Sequence, residues 1–177
     1  MLVRAGGAVD RERQELLGEC RSDFTAAMRA FAFAQWNRFR TDLCRRLGIH
    51  ADACRQVARG FQQFLHLLER AGKTVSGAAT EEAIARSVLT AFPDHVARLR
   101  SEATRLYDVA HGRRAKLPRE SFADGEALLV AGEILEIERS GEVEATLGMA
   151  CGIDRAWLET LFPQDFSEGV RMEYDPL

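Results

Sequence analysis

The sequence predicts an α+β protein, with a helical N-terminal half followed by a small five-stranded β-barrel that carries one inserted helix. Three observations predict it. Apolar residues recur three and four apart between Ser22 and Phe92, the spacing of amphipathic helices. From about Thr104 the period changes to two: Val143, Ala145, Leu147 and Met149 alternate with Glu142, Glu144 and Thr146, as in a strand with one wet face. One short helical segment, Asp154 to Phe162, then interrupts the β pattern. An all-β stretch broken by one short helix is what an OB-type barrel needs, and such barrels commonly bind single-stranded nucleic acid.

The helical half is read in order. Residues 1–9 are rich in Gly and Ala and give no strong signal; Asp10 is a candidate N-cap for a short helix to about Cys20. Ser22 caps a stronger helix whose face carries Phe24, Met28, Phe31, Ala32, Trp36 and Phe39. A short basic helix spans Thr41 to Leu47 and stops at Gly48. The next runs from about Ala51 to Ala71, with Ala53, Val57, Phe61, Phe64, Leu65 and Leu68 on one stripe, and Gly72 ends it. The aromatic residues of these stripes are read as core. Gly77-Ala78-Ala79 lies in a polar linker, which divides the chain into residues 1–78 and 79–177. Thr80 caps a leading helix over 80–92, with Glu81 and Glu82 in its first turn, and Pro93 interrupts it.

The barrel half follows. Leu106 to Val109 is read as its first strand, and His111 to Pro118 as a basic first turn. Ala127 to Ile137 and Val143 to Met149 form a long hairpin around Ser140-Gly141, with Gly132 as a point where a barrel strand bends. Asp154 caps the inserted helix, which holds Trp157, Leu158 and Leu161, and a last strand is placed at Val170 to Tyr174.

With 177 residues the chain can bury a real core as one domain or two small ones. No apolar run is long enough to cross a membrane, and Met1 to Gly7 lacks the apolar stretch of a signal peptide, so the sequence predicts a cytoplasmic protein. The net charge of −3 hides a split. Residues 1–78 hold 13 Lys/Arg against 8 Asp/Glu, a balance of +5; residues 79–118 hold 7 against 5, or +2; residues 119–177 hold 4 against 14, or −10. A polyanion is drawn to the first two-thirds.

Several patterns imitate chemistry. Gly72-Lys73-Thr74 ends like a phosphate-binding P-loop, but that motif needs a Gly at position 67, where Leu stands, and a strand before it. His50 and Cys54 are four apart with no second pair to complete a metal site. The cysteines at 20, 44, 54 and 151 include no Cys-x-x-Cys and are read as buried thiols. Glu133, Glu136, Glu138, Glu142 and Glu144 alternate with apolar residues and read as a solvated sheet face. No Ser/His/Asp or Cys/His constellation is present, so no catalytic or metal-binding residue is assigned.

What remains is basic. Arg45 and Arg46 lie on the short helix, Arg55 and Arg59 on the next, and Arg98, Arg100 and Arg105 lead toward the barrel. His111, Arg113, Arg114 and Lys116 occupy the basic turn, beside Tyr107 as a base-stacking candidate. Such cations neutralise phosphates and give salt-dependent, sequence-independent affinity.

The order of three stretches resembles the C-terminal part of DEAH-box RNA helicases of the bacterial HrpB type. Ser22-Asp23-Phe24-Thr25 through Trp36, with Leu43 to Gly48 and Arg55 to Arg59, is similar to the end of that family's helical ratchet domain. Ala91-Phe92-Pro93-Asp94-His95-Val96-Ala97-Arg98 resembles its Tyr-Pro-Asp-x-Val-Ala segment ahead of the OB-fold. Gly152-Ile153-Asp154, Trp157-Leu158 and Phe162-Pro163 resemble the OB-fold's end, and Val170 to Pro176 the strand after it. The threonine that usually precedes the Ile-Asp pair is replaced by Cys151-Gly152. The resemblance implies a ratchet-like segment plus OB-fold whose parent hydrolyses ATP, with Mg, in two RecA-like motor domains. The P-loop and the Asp-Glu-Ala-His box are not in this sequence, so the chain itself is expected to need no cofactor. Its implied partners are single-stranded RNA, with DNA as an option, the parent's motor domains, and a protein activator. The alternative reading is a protein-docking module without RNA binding, its acidic hairpin meeting a basic partner.

Overall fold

Five strands close into a barrel in the order β1-β2-β3-β5-β4: β1 Val96–Ser101, β2 Leu106–Val109, β3 Arg113–Lys116, β4 Leu128–Arg139 and β5 Glu142–Gly152. The computed structural model describes residues 12, 15–74, 77, 79–139 and 142–165. All neighbouring strands are antiparallel except β3 and β5, which run parallel and meet at Lys116 and Thr146. This is an OB-type barrel, as the sequence predicts. Its interior holds Ala97, Tyr107, Val109, Ala115, Leu117, Leu129, Ala131, Leu147 and Ala150.

The first strand is a correction. Val96–Ser101, read as a segment leading into the barrel, is β1 itself, paired with β2 on one side and β4 on the other. Its alternation is short but real: Ala97 and Leu99 face the core and Arg98 and Arg100 face out. Pro93 ends the preceding helix and starts a single 3-10 turn, Pro93–His95, from which β1 departs. The basic residues after His111 are accordingly strand β3, not the first barrel turn.

Strand alternation changes phase on the long hairpin. Leu129 and Ala131 point inward on β4, then Ile134; on β5 Ala145 and Leu147 point inward, then Ala150. Both strands slip by one position at Gly132 and Met149. Met149 has a left-handed backbone (φ 51) and is exposed, so it does not extend the inner face of Ala145 and Leu147. Gly132, read as a bend, is a site of close approach: a Cβ there would lie 3.0 Å from the Phe24 ring. The Ser140-Gly141 turn and the strand placed at Val170 to Tyr174 fall outside the described residues.

The helices beside the barrel are α1 Asp23–Trp36, α2 Thr41–Arg46, α3 Ala51–Arg70, α4 Glu81–Ala91 and α5 Arg155–Leu161; α2 and α3 pack on α1. Ser22 Oγ accepts from Thr25 N–H at 3.3 Å and Thr80 Oγ1 from Ala83 N–H at 3.1 Å, as the caps require. Asp154 holds the N-cap position of α5 without a side-chain hydrogen bond to the helix. His50 is the cap of α3, its Nδ1 accepting from Ala53 N–H at 3.2 Å, which explains its spacing from buried Cys54. Gly72 takes the left-handed conformation (φ 68) just past α3, so Gly72-Lys73-Thr74 is a helix stop. Among the described residues no helix is long and apolar enough to cross a membrane.

The helical faces differ from expectation. On α1 the buried stripe is Ala26, Ala30 and Ala34, packed with Cys44, Leu47, Ile49, Ala51 and Cys54. Met28 and Trp36 are exposed, the latter at 88 %. On α3 Ala51 and Cys54 are buried, whereas Phe61 and Phe64 are exposed. Small residues let helix backbones approach closely, and here they make the fully buried core, with Phe31, Phe33 and Phe39 half-buried against it and Phe24 packed on the barrel's outer cluster. α4 and α5 cover the outside of β4 and β5, where Ala85, Val88 and Leu89 pack on Val130, Cys151 and Ile153, with Trp157, Leu158 and Leu161 around them. Arg86 lies 4.9 Å over the Trp157 ring and ties the two helices together.

Arg21, Ser22 and Asp23 join the helices to the barrel. Gly152 N–H donates to the Arg21 carbonyl at 2.9 Å and Ser22 bridges Cys151, so the segment adds briefly to β5. The Asp23 carboxylate accepts from Phe122 N–H at 2.7 Å, Ala150 N–H at 2.8 Å and Ser121 Oγ at 3.0 Å. The Arg21 guanidinium grips Glu126, and Arg21 N–H donates to Glu81 Oε1 at 2.9 Å.

Two buried acids give the fold a pH signature. Burial pushes the Tyr107 hydroxyl from 10.0 up to about 12, and the Cys151 thiol from 9.0 up to about 12. Both folded values exceed the unfolded ones. The unfolded chain therefore sheds protons first, and stability falls as pH rises from about 9 to about 12. Urea midpoints measured between pH 8 and 11 are expected to hold and then drop, with Cys151→Ala making the earlier part of the drop smaller; Cys20, Cys44 and Cys54, also raised by burial, keep the rest. A flat profile to pH 11 refutes this assignment.

Candidate nucleic-acid interface

The outer face of β1, β2 and β3 gathers the basic residues that the sequence distributes. Register places Arg98 opposite Asp108 and Asp108 opposite Arg114, so the three form one row across the strands, pointing away from the core. Arg98 Nη2 lies 3.7 Å, Arg100 Nη1 3.2 Å and Arg114 Nε 3.7 Å from the Asp108 carboxylate. One half-buried carboxylate thus organises three guanidiniums. It neutralises one charge and leaves the cluster at +2. All three arginines are exposed, so their remaining donors face solvent. Lys116 stands in the neighbouring outer row and pairs with Glu144 at 2.6 Å. Chemically, the face offers clustered, forked guanidinium donors, the groups that bind phosphate oxygens.

The other candidates divide. His111 is exposed at a left-handed position (φ 63), followed by Gly112 (φ 76), in the 3-10 turn Ala110–Gly112 between β2 and β3. Arg113 pairs in register with buried Val109, at the end of an inward-facing row, and donates to the Asp94 carbonyl at 3.3 Å. Arg105 is committed elsewhere. Its guanidinium holds Asp124 through two 2.8 Å bonds and keeps that carboxyl below its usual range. Tyr107 is a correction: its ring is wholly buried in the barrel and its hydroxyl donates to the Glu126 carbonyl at 3.0 Å, so it has no face for a base. Arg45, Arg46, Arg55 and Arg59 lie on α2 and α3, not on the strands that carry Arg98, Arg100 and Arg114. Arg55 supports the α1–α2 turn by donating to the Phe39 carbonyl at 2.6 Å, and Arg46 lies 3.7 Å from Glu12.

Sequence reasoning missed an aromatic pair. Phe92 and His95 stack at 5.4 Å and 15° just ahead of β1, next to Asp94, whose carbonyl receives Arg113. Phe92 is partly exposed, and Pro93 ending α4 is the signal that could have found it. Glu133, Glu136 and Glu138 are exposed on β4, as a solvated face requires.

No family model matches the chain, and no curated protein matches it. Solved structures do match. One is the crystal structure of the E. coli DExH-box NTPase HrpB, to which the chain is similar over 89 % of its own length, at 23 % identity and a TM-score of 0.47. The chain spans 20 % of that structure's chain.

Proposed function

We propose that this chain is the accessory nucleic-acid-holding portion of an ATP-dependent RNA helicase. It grips single-stranded RNA by its phosphates along the outer face of β1–β3, while ATP and Mg chemistry belongs to the RecA-like motor domains of the parent protein. One observation carries the reading: Arg98, Arg100 and Arg114, gathered around Asp108 on the outer face of β1–β3 of an OB-type barrel. The motifs from Ala91 to Arg98 and from Gly152 to Pro163 support the helicase context. Phe92 supplies the stacking surface in place of Tyr107.

Fluorescence anisotropy with a short single-stranded RNA tests it. Arg98→Glu/Arg114→Glu is expected to weaken binding at least about tenfold and to lower the salt slope by about 2. Phe92→Ala is expected to weaken it about tenfold. Arg45→Glu/Arg46→Glu distinguishes the helices from the barrel, and is expected to change affinity less than the β-strand pair does. Unchanged affinity in Arg98→Glu/Arg114→Glu refutes the interface.

A further inference from the structure

The C-terminal half of α3 leaves the protein's own core with an apolar seam intact. Val57, Phe61, Phe64 and Leu68 are spaced four, three and four apart, the a/d pattern of a helix that packs lengthwise on another helix. They are 47, 51, 68 and 39 % exposed, and Leu67 beside them is 56 % exposed. Charged and amide side chains lie on the opposite side of the helix: Arg55, Arg59, Gln62, Gln63, His66 and Glu69. A half-exposed phenylalanine or leucine leaves roughly 100 Å² uncovered. These residues together expose roughly 500 Å², which already ranks among the largest apolar patches of ordinary monomers.

We infer that a second copy of this chain covers this seam, its α3 running antiparallel to the first. Three features select that occupant. First, the pattern is self-complementary when reversed. With the two-fold axis between Gln62 and Gln63, Val57 meets the partner's Leu68 and Phe61 meets the partner's Phe64, so every large residue of the seam has a large counterpart. Second, the positions flanking the seam, Ala58, Gly60, Leu65 and Leu67, carry no charge. A heterologous coiled partner is usually chosen by charges there; two identical copies need only that like charges be absent. Third, Gly60 has no reason within one protomer. Nothing lies within 4 Å of the place its Cβ would take, and it is a helix-weakening residue in the middle of a long helix. In the reversed pair it sits opposite the partner's Leu67 and makes room for that side chain. The antiparallel sense also follows from the fold. Ala51 and Cys54 bury the start of α3 in its own helical cluster, so the free halves overlap while the two bodies stay at opposite ends. The seam's roughly 500 Å² per copy brings two copies to the ~1,000 Å² in total that a specific interface needs.

Sedimentation equilibrium on the full chain between 5 and 500 µM tests this. The wild-type chain is expected to shift from monomer to dimer across that range. Phe61→Glu/Phe64→Glu is expected to stay monomeric throughout. Gly60→Gln, which favours the helix and touches nothing in the protomer, is expected to keep or raise the melting temperature while weakening dimerisation at least tenfold. A wild-type chain that is monomeric at 500 µM overturns the proposal, as does a dimer that survives in both variants.

Discussion

Asp23→Ala is expected to lower folding stability by about 3 kcal/mol. The carboxylate it removes is the acceptor for Phe122 N–H, Ala150 N–H and the Ser121 hydroxyl, all at least partly buried. The hydroxyl can rotate toward water, but the two amides are fixed by their own chain and lose their partner. Each unsatisfied buried donor costs about 1–3 kcal/mol. Asp23 also stands in the first turn of α1, where a negative charge favours the helix dipole. In a chain of this size that loss corresponds to a fall of roughly 10 °C in melting temperature. Asp23→Asn, which keeps one acceptor oxygen, is expected to recover about half of it. Urea denaturation followed by circular dichroism reads both variants. A loss under about 1 kcal/mol for Asp23→Ala shows that the amides find water and that the carboxylate does not hold the helices on the barrel.

Tyr107→Ala is expected to cost about 3–5 kcal/mol, the scale of emptying a large aromatic site in a core. Its ring lies between Leu99 and Ala115 in the cross-strand row and is fully buried. Tyr107→Phe separates packing from the hydrogen bond. It keeps the ring and leaves the Glu126 carbonyl without the hydroxyl, for an expected cost of about 1 kcal/mol. The same variant discriminates function. Because the ring is inside, Tyr107→Phe is expected to leave RNA affinity unchanged, whereas Phe92→Ala is expected to reduce it. A stable Tyr107→Phe protein with strongly weakened binding would return Tyr107 to the interface.

These residues also show what could be read before the fold was known. Period-two alternation at Ala145 and Leu147 and the helix after Asp154 were enough to place the barrel. The first strand was not, because Val96–Ser101 is short and follows directly on Pro93. The helical faces were misread for a different reason. Hydropathy ranks Phe61, Phe64 and Trp36 above Ala26, Ala30 and Ala34, yet the distance between backbones decides which of them enters a core. The arginines were visible as a set but not as a row. Their grouping around Asp108 depends on the register of β1, β2 and β3, which composition does not encode. For the same reason Arg105, bound to Asp124, could not be told apart from Arg100.

The Asp23–Ala150 contact spans 127 residues. Asp23 leaves the ribosome long before β5 exists, so α1 can form early but cannot dock until the hairpin is complete. Closing so long a loop is an entropic cost met late, which makes barrel closure and helix docking a single slow event. The Ala150 amide should therefore exchange with solvent only when the whole chain unfolds, and so provides one atom at which the global stability of the protein can be followed.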